Sequence, residues 1–386
     1  MIAILGCVVA MRKVLLSILL LFIISYVTFA GIFSNSVSAS ESALDASWNT
    51  KALMSYPRQN LGVIAVEGQI YAIGGHRLND ASNIGGINER YDPKTDKWTE
   101  LASMPTPMSN FAIATYQGKI YCIGSTPPNM YGRGETYSMN EVYDIDTDSW
   151  STKTALPVAD TKFHKAYVID ENIFVLADCD LFMYDPATNL WTAKTSIPEE
   201  TLFSSVTSFV VDNKILVVDV FKLENFTLAT KTLIYDSYTD LWSERANPPF
   251  TTISGTVGVT SGIYAPQRVY IFSSNLIENT TSTLVYDPAK DTWSVSEGMP
   301  TMRYACGAAA VDDVLYVVGG SIPGQSLATN EQYVPLGYQG PLFSGSIFTL
   351  ANIALATGIV VIILAVVVVL LFFSKKKKTE TPHTDS

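Results

Sequence analysis

Four cysteines and three histidines in 386 residues are too few for a disulfide scaffold or for a zinc array built from paired Cys and His ligands. Charge is sparse as well. Only 16% of residues are charged, and 25 basic residues face 36 acidic ones, a net −11 that excludes a nucleic-acid-binding surface on electrostatic grounds. No Gly-rich phosphate loop opens a helix, and helical patterning is scarce throughout. What is abundant is apolar surface: 48% of residues are hydrophobic and 11% aromatic, with mean hydropathy +0.21. That excludes a chain dominated by disorder and exceeds what a wholly soluble protein carries.

The excess sits at the two ends. Met11, Arg12 and Lys13 precede a charge-free apolar stretch over 14–30, and Val37-Ser38-Ala39 offers the small residues of a cleavage site. Residues 1–39 therefore read as a signal peptide. Residues 347–373 carry no charge and exceed the roughly 20 residues that cross a bilayer core. Lys375 to Lys378 follow at once, which predicts a single transmembrane helix with a cytoplasmic basic tail over 374–386. The expected protein is type I: bulk outside the cell, membrane-anchored, joined to its helix by a short linker at 337–346. Residues 40–373 hold 19 basic against 34 acidic residues, so the exported part is more acidic than the whole. Its three cysteines, Cys122, Cys179 and Cys306, read as free thiols, the first and last in apolar runs.

Between the ends the chain repeats. All six tryptophans (Trp48, Trp98, Trp150, Trp191, Trp242 and Trp293) fall 50, 52, 41, 51 and 51 residues apart. Five follow a Tyr-Asp pair by seven residues: Tyr91-Asp92, Tyr143-Asp144, Tyr184-Asp185, Tyr235-Asp236 and Tyr286-Asp287. A β-branched or aromatic run stands upstream each time, as in QIYAIGG at 69–75 and VLYVVGG at 314–320, with another apolar stretch before it. Four strands per unit are predicted. The 41-residue spacing places a loss of about ten residues after the second strand of unit three, near 177–180.

This pattern resembles the kelch repeat family, whose units of about 50 residues each form one propeller blade. The resemblance covers residues 44–336 and rests on Gly74-Gly75, Gly319-Gly320, the Tyr-Asp pairs and the Trp series. The double glycine is replaced by Ala177-Asp178, Val218-Asp219 and Ser273-Ser274 in units three to five. It implies an all-β, six-bladed propeller over 40–336. The sixth unit has no Trp of its own and Trp48 has no unit before it, so the N-terminal strand is expected to complete the last blade. The aromatics read as core rather than as a sugar-stacking ladder.

Catalytic residues are few. His76 and His164 lie in different units, and neither the ligand set of the kelch-type copper oxidases nor a sialidase Asp-box is present. No metal or cofactor is implied. Asp96, Asp148, Asp240 and Asp291 read as turn residues, and Glu199-Glu200 as a solvated junction rather than an acid–base pair. Asn225 and Asn279 open N-glycosylation sequons. Arg58 and Arg303 share one position, thirteen residues before a second-strand Tyr, in units that become neighbours in a ring. With Tyr56, Tyr304 and His76 they are expected to border the channel mouth as a basic spot for a carboxylate or sulfate. Replacing both arginines by Ala is accordingly expected to abolish binding and leave the melting temperature nearly unchanged. The function expected is an extracellular interaction module for a protein, glycan or cell-envelope component. The alternative is a sugar-ring isomerase, by analogy with a periplasmic kelch mutarotase acting on sialic acid.

Overall fold

The computed structural model describes residues 46–78, 86–125, 137–158, 164–198, 203–222, 228–248, 255–275 and 278–340. Among them are six four-stranded antiparallel sheets, one per repeat, a two-stranded ribbon at Ser321–Ile322 and Gln325–Ser326, and no helix. The expected signal peptide, transmembrane run and basic tail lie outside the described residues, as do Glu199, Glu200 and Asn225. No described helix is long and apolar enough to cross a membrane.

Blade one shows how the repeat becomes structure. Its strands are Gly62–Val66, Gln69–Ile73, Asn88–Asp92 and Lys97–Leu101, adjacent in space in that order. Tyr91 pairs with Trp98 and Asp92 with Lys97 across a four-residue turn, which is why Tyr and Trp stand seven residues apart. The same pairing recurs for Tyr143–Trp150, Tyr184–Trp191, Tyr235–Trp242 and Tyr286–Trp293. Ring centroids of the five pairs lie 4.8 to 5.1 Å apart. Ser47–Thr50 lies beside Asn330–Val334 in the sixth sheet, with Trp48 opposite Tyr333 and their rings 4.9 Å apart.

The second strands read as unbroken apolar runs because both of their faces are covered. Ile70 and Ala72 pack towards blade six, while Tyr71 and Ile73 pack towards blade two, following the two-residue period of a strand. Each of six apolar clusters joins one pair of neighbouring blades, blade six with blade one included. The core is thus a ring of interfaces.

A polar clamp repeats beside each apolar interface. The indole N–H of each Trp donates to the carbonyl four residues after the preceding Trp. Trp98 reaches Ala52, Trp150 Ala102, Trp191 Thr154 and Trp242 Thr195, at 2.8 to 2.9 Å. Trp293 reaches Ala246 at 3.1 Å and Trp48 reaches Glu297 at 3.3 Å. In four of these cases the same residue's N–H donates to the turn residue of the next blade: Ala52 to Asp96, Ala102 to Asp148, Thr154 to Asn189 and Thr195 to Asp240. That turn residue also accepts from its blade's Tyr hydroxyl, at 2.6 to 2.7 Å. Its φ lies between 48° and 58°, a left-handed conformation that Asp and Asn tolerate better than other side chains with a Cβ. Geometry and acceptor chemistry select the same residue type.

The clamp is testable at Asp148. Donation from Tyr143, then from the Ala102 N–H, holds its carboxyl below the ordinary carboxylate range despite partial desolvation. A lowered folded pKa means that the stability Asp148 contributes is complete above about pH 4 and is lost as pH falls through that lowered value. Asp148→Asn keeps the acceptor, as Asn189 does in blade three, and should cost under about 1 kcal/mol at neutral pH. Asp148→Ala should cost about 1–2 kcal/mol, from two lost hydrogen bonds and a less tolerated φ. Urea unfolding at pH 7 and pH 3 checks both points. Equal costs for Asn and Ala at pH 7 would remove the clamp as an explanation.

The double glycines answer a steric demand. Gly74 has φ 63°, and a β-carbon there would lie 2.5 Å from the Met108 carbonyl; at Gly319 it would lie 2.7 Å from the Arg58 carbonyl. In blade three, Asp178 takes the left-handed position within a two-residue turn between Asn172–Ala177 and Asp180–Asp185, where the repeat is shortened. In blades four and five the second strand continues as Lys214–Lys222 and Val269–Asn275, so no sharp exit is needed there.

Candidate functional site

The chain enters the first strands of blades six, one and two through Ala305, Asn60 and Asn110, with φ of 55°, 52° and 51°. Their backbones form a belt around the channel: Asn110 N–H donates to the Asn60 carbonyl at 2.9 Å, and Asn60 N–H to the Ala305 carbonyl at 2.8 Å. His164, which opens the first strand of blade three, continues the belt by hydrogen-bonding the Asn110 backbone. Its ring fits only because Gly124 has no side chain; a β-carbon there would stand 2.5 Å from the imidazole.

This belt encloses a cavity of about 290 Å³ lined from five blades. Asn60, Asn110, His164, Lys165, Thr256 and Tyr304 supply most of its polar groups, with Leu61, Phe111 and Phe272 between them. Among the described residues no Asp or Glu lines it, although the domain is strongly acidic. The charged residues among the described ones that line it are Lys165 and Arg303, with His164 beside them. Burial lowers the His164 pKa, opposed by Asp178 and the Asn110 backbone, while Lys165 is solvent-exposed. The Cys306 thiol is pushed up by burial and pulled back by Arg303.

The expected site residues are dispersed. Arg58 and Arg303 are 0% and 1% exposed, so neither guanidinium is a surface fork. Arg58 pairs with Glu89 at 2.7 Å and donates to the carbonyls of Gly74, Ile87 and Ala72. Arg303 pairs with Glu331 at 2.5 Å and donates to the Thr301 and Val317 carbonyls. Each ties the start of its blade's first strand to the third strand. Buried charge of this kind stabilises only while paired, which reverses the expectation that both could be removed without effect on melting. Blade two has Met108 at the Arg position, and its buried Glu141 accepts from Thr106 and Thr152 instead.

Of the five residues, Arg303 and Tyr304 line the cavity; Arg58, Tyr56 and His76 do not. The Tyr56 hydroxyl lies 3.5 Å from Glu100, and His76 is bound by Gln59 through both backbone and side chain. Burial lowers the His76 pKa. Asn279 is an exposed turn residue with φ 54°. Sequence reasoning missed Asn60, Asn110, His164, Lys165 and Cys306. One signal was available: Asn60 and Asn110 both stand eleven residues before a second-strand Tyr.

Residues 57–105 and 302–339, which build blades one and six, match the family described as Kelch motif. The chain is 26% identical over 223 residues to Beta-scruin of Limulus polyphemus, covering 52% of this chain and 24% of that one. It is 27% identical over 223 residues to Kelch-like protein 25 of Xenopus tropicalis, covering 54% and 36%. The matched parts are thus about a quarter to a third of those relatives' lengths. Among solved structures, that of YjhT superposes with TM-score 0.57 at 14% identity, covering 73% of this chain and 96% of that one, a likeness of fold alone. With the motif matched in blades one and six and the Tyr–Trp ladder present in every blade, this chain is a kelch-repeat β-propeller protein.

Proposed function

We propose that the protein is an exported interaction module, anchored in the membrane by residues 347–373, whose propeller mouth holds a protein, glycan or cell-envelope component. The cavity at the channel mouth carries this reading: five blades converge there on a pocket of about 290 Å³ with amide, hydroxyl, imidazole and amine groups facing one space. The turn carboxylates are engaged as clamps and two buried glutamates pair with arginine, which leaves little acid–base machinery at the mouth and favours recognition over turnover. The N-terminal strand closes the ring as the outer strand of blade six.

Anchoring sets the orientation. Tyr338 is 2% exposed, and Gln339 N–H donates to the Tyr264 carbonyl, so the first part of the linker is docked on the propeller. Residues 341–346 then span at most about 20 Å. Tyr264 lies in the loop after the first strand of blade five, at the end of the blades opposite Asn60 and Tyr304. The mouth therefore faces away from the bilayer.

The test uses full-length protein in detergent against a glycan array and surface extracts, with Tyr304→Ala and Asn110→Gly as mouth variants, glycine keeping the left-handed backbone of Asn110. A specific ligand should be found, and its affinity should fall at least tenfold in both variants while melting changes little, an effect of about 1.4 kcal/mol. A ligand bound equally by both variants would exclude the mouth. Protease outside intact cells should remove the propeller and spare an epitope after Lys378; the reverse pattern would exclude the orientation. The second reading, a sugar-ring isomerase, draws on His164 and Lys165 in the same cavity and predicts faster anomer exchange of a reducing sugar.

A further inference from the structure

The lower end of the propeller, opposite the mouth, is where the chain leaves for residues 347–373, and its fastening there is firm. Asp313, in the first turn of blade six, accepts from the backbone N–H groups of Ser261, Ile263, Tyr264 and Ala265, which pins this blade-five loop to blade six. The linker docks on the pinned loop. Tyr338 packs with Ala265 and Tyr264 in the cluster between blades six and one, and a β-carbon at Gly340 would lie 2.7 Å from the Tyr264 ring. Residues 341–346 then span at most about 20 Å. Whatever faces this end is held close to the start of the apolar run.

The same end carries the most exposed apolar side chains. Among the described residues, the four large ones most open to water are Ile263 (77%), Tyr238 (75%), Leu190 (64%) and Leu241 (63%). All four stand at the lower end, on the consecutive blades three, four and five. Leu190 and Leu241 open outer strands, Tyr238 lies in the turn before Leu241, and Ile263 lies in the pinned loop. Single exposed apolar residues are ordinary on any surface; a concentration on one side of one end is not. The repeat supplies the comparison. Three residues after the ladder Tyr, blades one and two carry Lys94 and Asp146 where blade four has Tyr238. Six residues after it, they carry Lys97 and Ser149 where blades three and four have Leu190 and Leu241. The turn itself therefore does not require an apolar residue at either position.

We propose that the lower rim of blades three to five rests on the bilayer surface, with these side chains entering the headgroup region. The proposal rests on residues 347–373 being the anchor and adds a second contact that fixes the tilt of the propeller. Tyr is suited to the headgroup level, and Leu and Ile to the boundary with the acyl chains. Asp185, Asp236 and Asp240 border the patch, so charge favours zwitterionic headgroups of the phosphatidylcholine kind over anionic ones.

The test places full-length protein in phosphatidylcholine nanodiscs containing a phosphatidylcholine with a benzophenone near its glycerol. After illumination, lipid-labelled peptides are mapped. Peptides with Tyr238, Leu241 and Ile263 should be labelled at least about fivefold more than those with Leu53 and Val295, since burying one such side chain favours the contact by about tenfold or more. Leu53 and Val295 are also exposed, the first at the mouth end and the second on an outer strand, so they report chance encounters. Tyr238→Asp with Leu241→Ser, the pair blade two carries, and Ile263→Ser should bring rim labelling down to that of Leu53, with melting in detergent unchanged. Should that variant fail to fold, the comparison within the wild-type protein still decides. Rim labelling no greater than that of Leu53, with 347–373 labelled, would overturn the docking and leave the anchor standing; no label on 347–373 would overturn the anchor as well. Rim peptides that escape lipid but cross-link to another protein would assign the patch to a protein partner and overturn the proposal. Added phosphatidylserine should weaken the rim label, and a stronger label would overturn the choice of headgroup.

Discussion

Replacing Arg58 by alanine is expected to remove about 3–5 kcal/mol of folding stability, and Arg303→Ala a similar amount, because each leaves a buried glutamate unpaired. Domains of this kind have about 5–15 kcal/mol in total, so either variant should melt far below the wild-type protein and the double variant should scarcely fold. Among the described residues, Glu89 would keep only the Ser55 N–H, at 2.9 Å, and Glu331 only the Thr301 hydroxyl, at 2.6 Å. The carbonyls of Gly74, Ile87 and Ala72 would lose their donor at the same time. The chain itself shows how to separate charge from packing. Blade two has Met at the Arg position, and blades four and five have Leu233 and Leu284 where blade one has Glu89. Arg58→Met combined with Glu89→Leu should therefore recover most of the loss, since removing both members of a buried pair is far less costly than removing one. Denaturant unfolding of the three variants checks this. A cost below about 1 kcal/mol for Arg58→Ala would show that the pair does not hold the blade.

Deleting residues 40–52 is expected to be nearly as damaging. The deletion uncovers the Asn330–Val334 edge and removes Trp48, whose ring lies 5.3 Å from Phe272 and 4.9 Å from Tyr333. It also removes Met54's neighbour Ala52, whose N–H and carbonyl are both clamped by blade one. Trp48 is half-buried, so its loss alone costs less than the about 3–5 kcal/mol of a fully buried aromatic, and the bare sheet edge adds aggregation to instability. Removing an equal length of surface loop should cost much less. A peptide spanning 40–52, added in trans, should raise the melting temperature of the truncated protein with increasing concentration, because it binds the folded state only. No rescue, together with a loss no greater than that of the loop deletion, would mean that the first strand is dispensable. Trp48→Ala should meanwhile cost about as much as Trp150→Ala, since both tryptophans face a Tyr across a strand pair.

The sequence alone determined the blades. Tyr and Trp seven residues apart are a statement about one hairpin, and a run such as QIYAI is a statement about one strand with both faces covered; local periodicity suffices for both. The turn aspartates were legible for the same reason, since a left-handed residue with a hydrogen-bonding side chain is a local requirement. The arginines show where that legibility stops. Arg58 and Arg303 were found by register, yet register cannot say whether a guanidinium points to water or to a glutamate two strands away. Only the tertiary structure decided it, by burying Glu89 and Glu331 opposite them. The cavity was less visible still, because Asn60 and Asn110 share one repeat position while Lys165, Thr256 and Tyr304 stand at others, so no single spacing gathers the five. They meet because the six blades pack side by side, blade six against blade one included, and no one segment determines that.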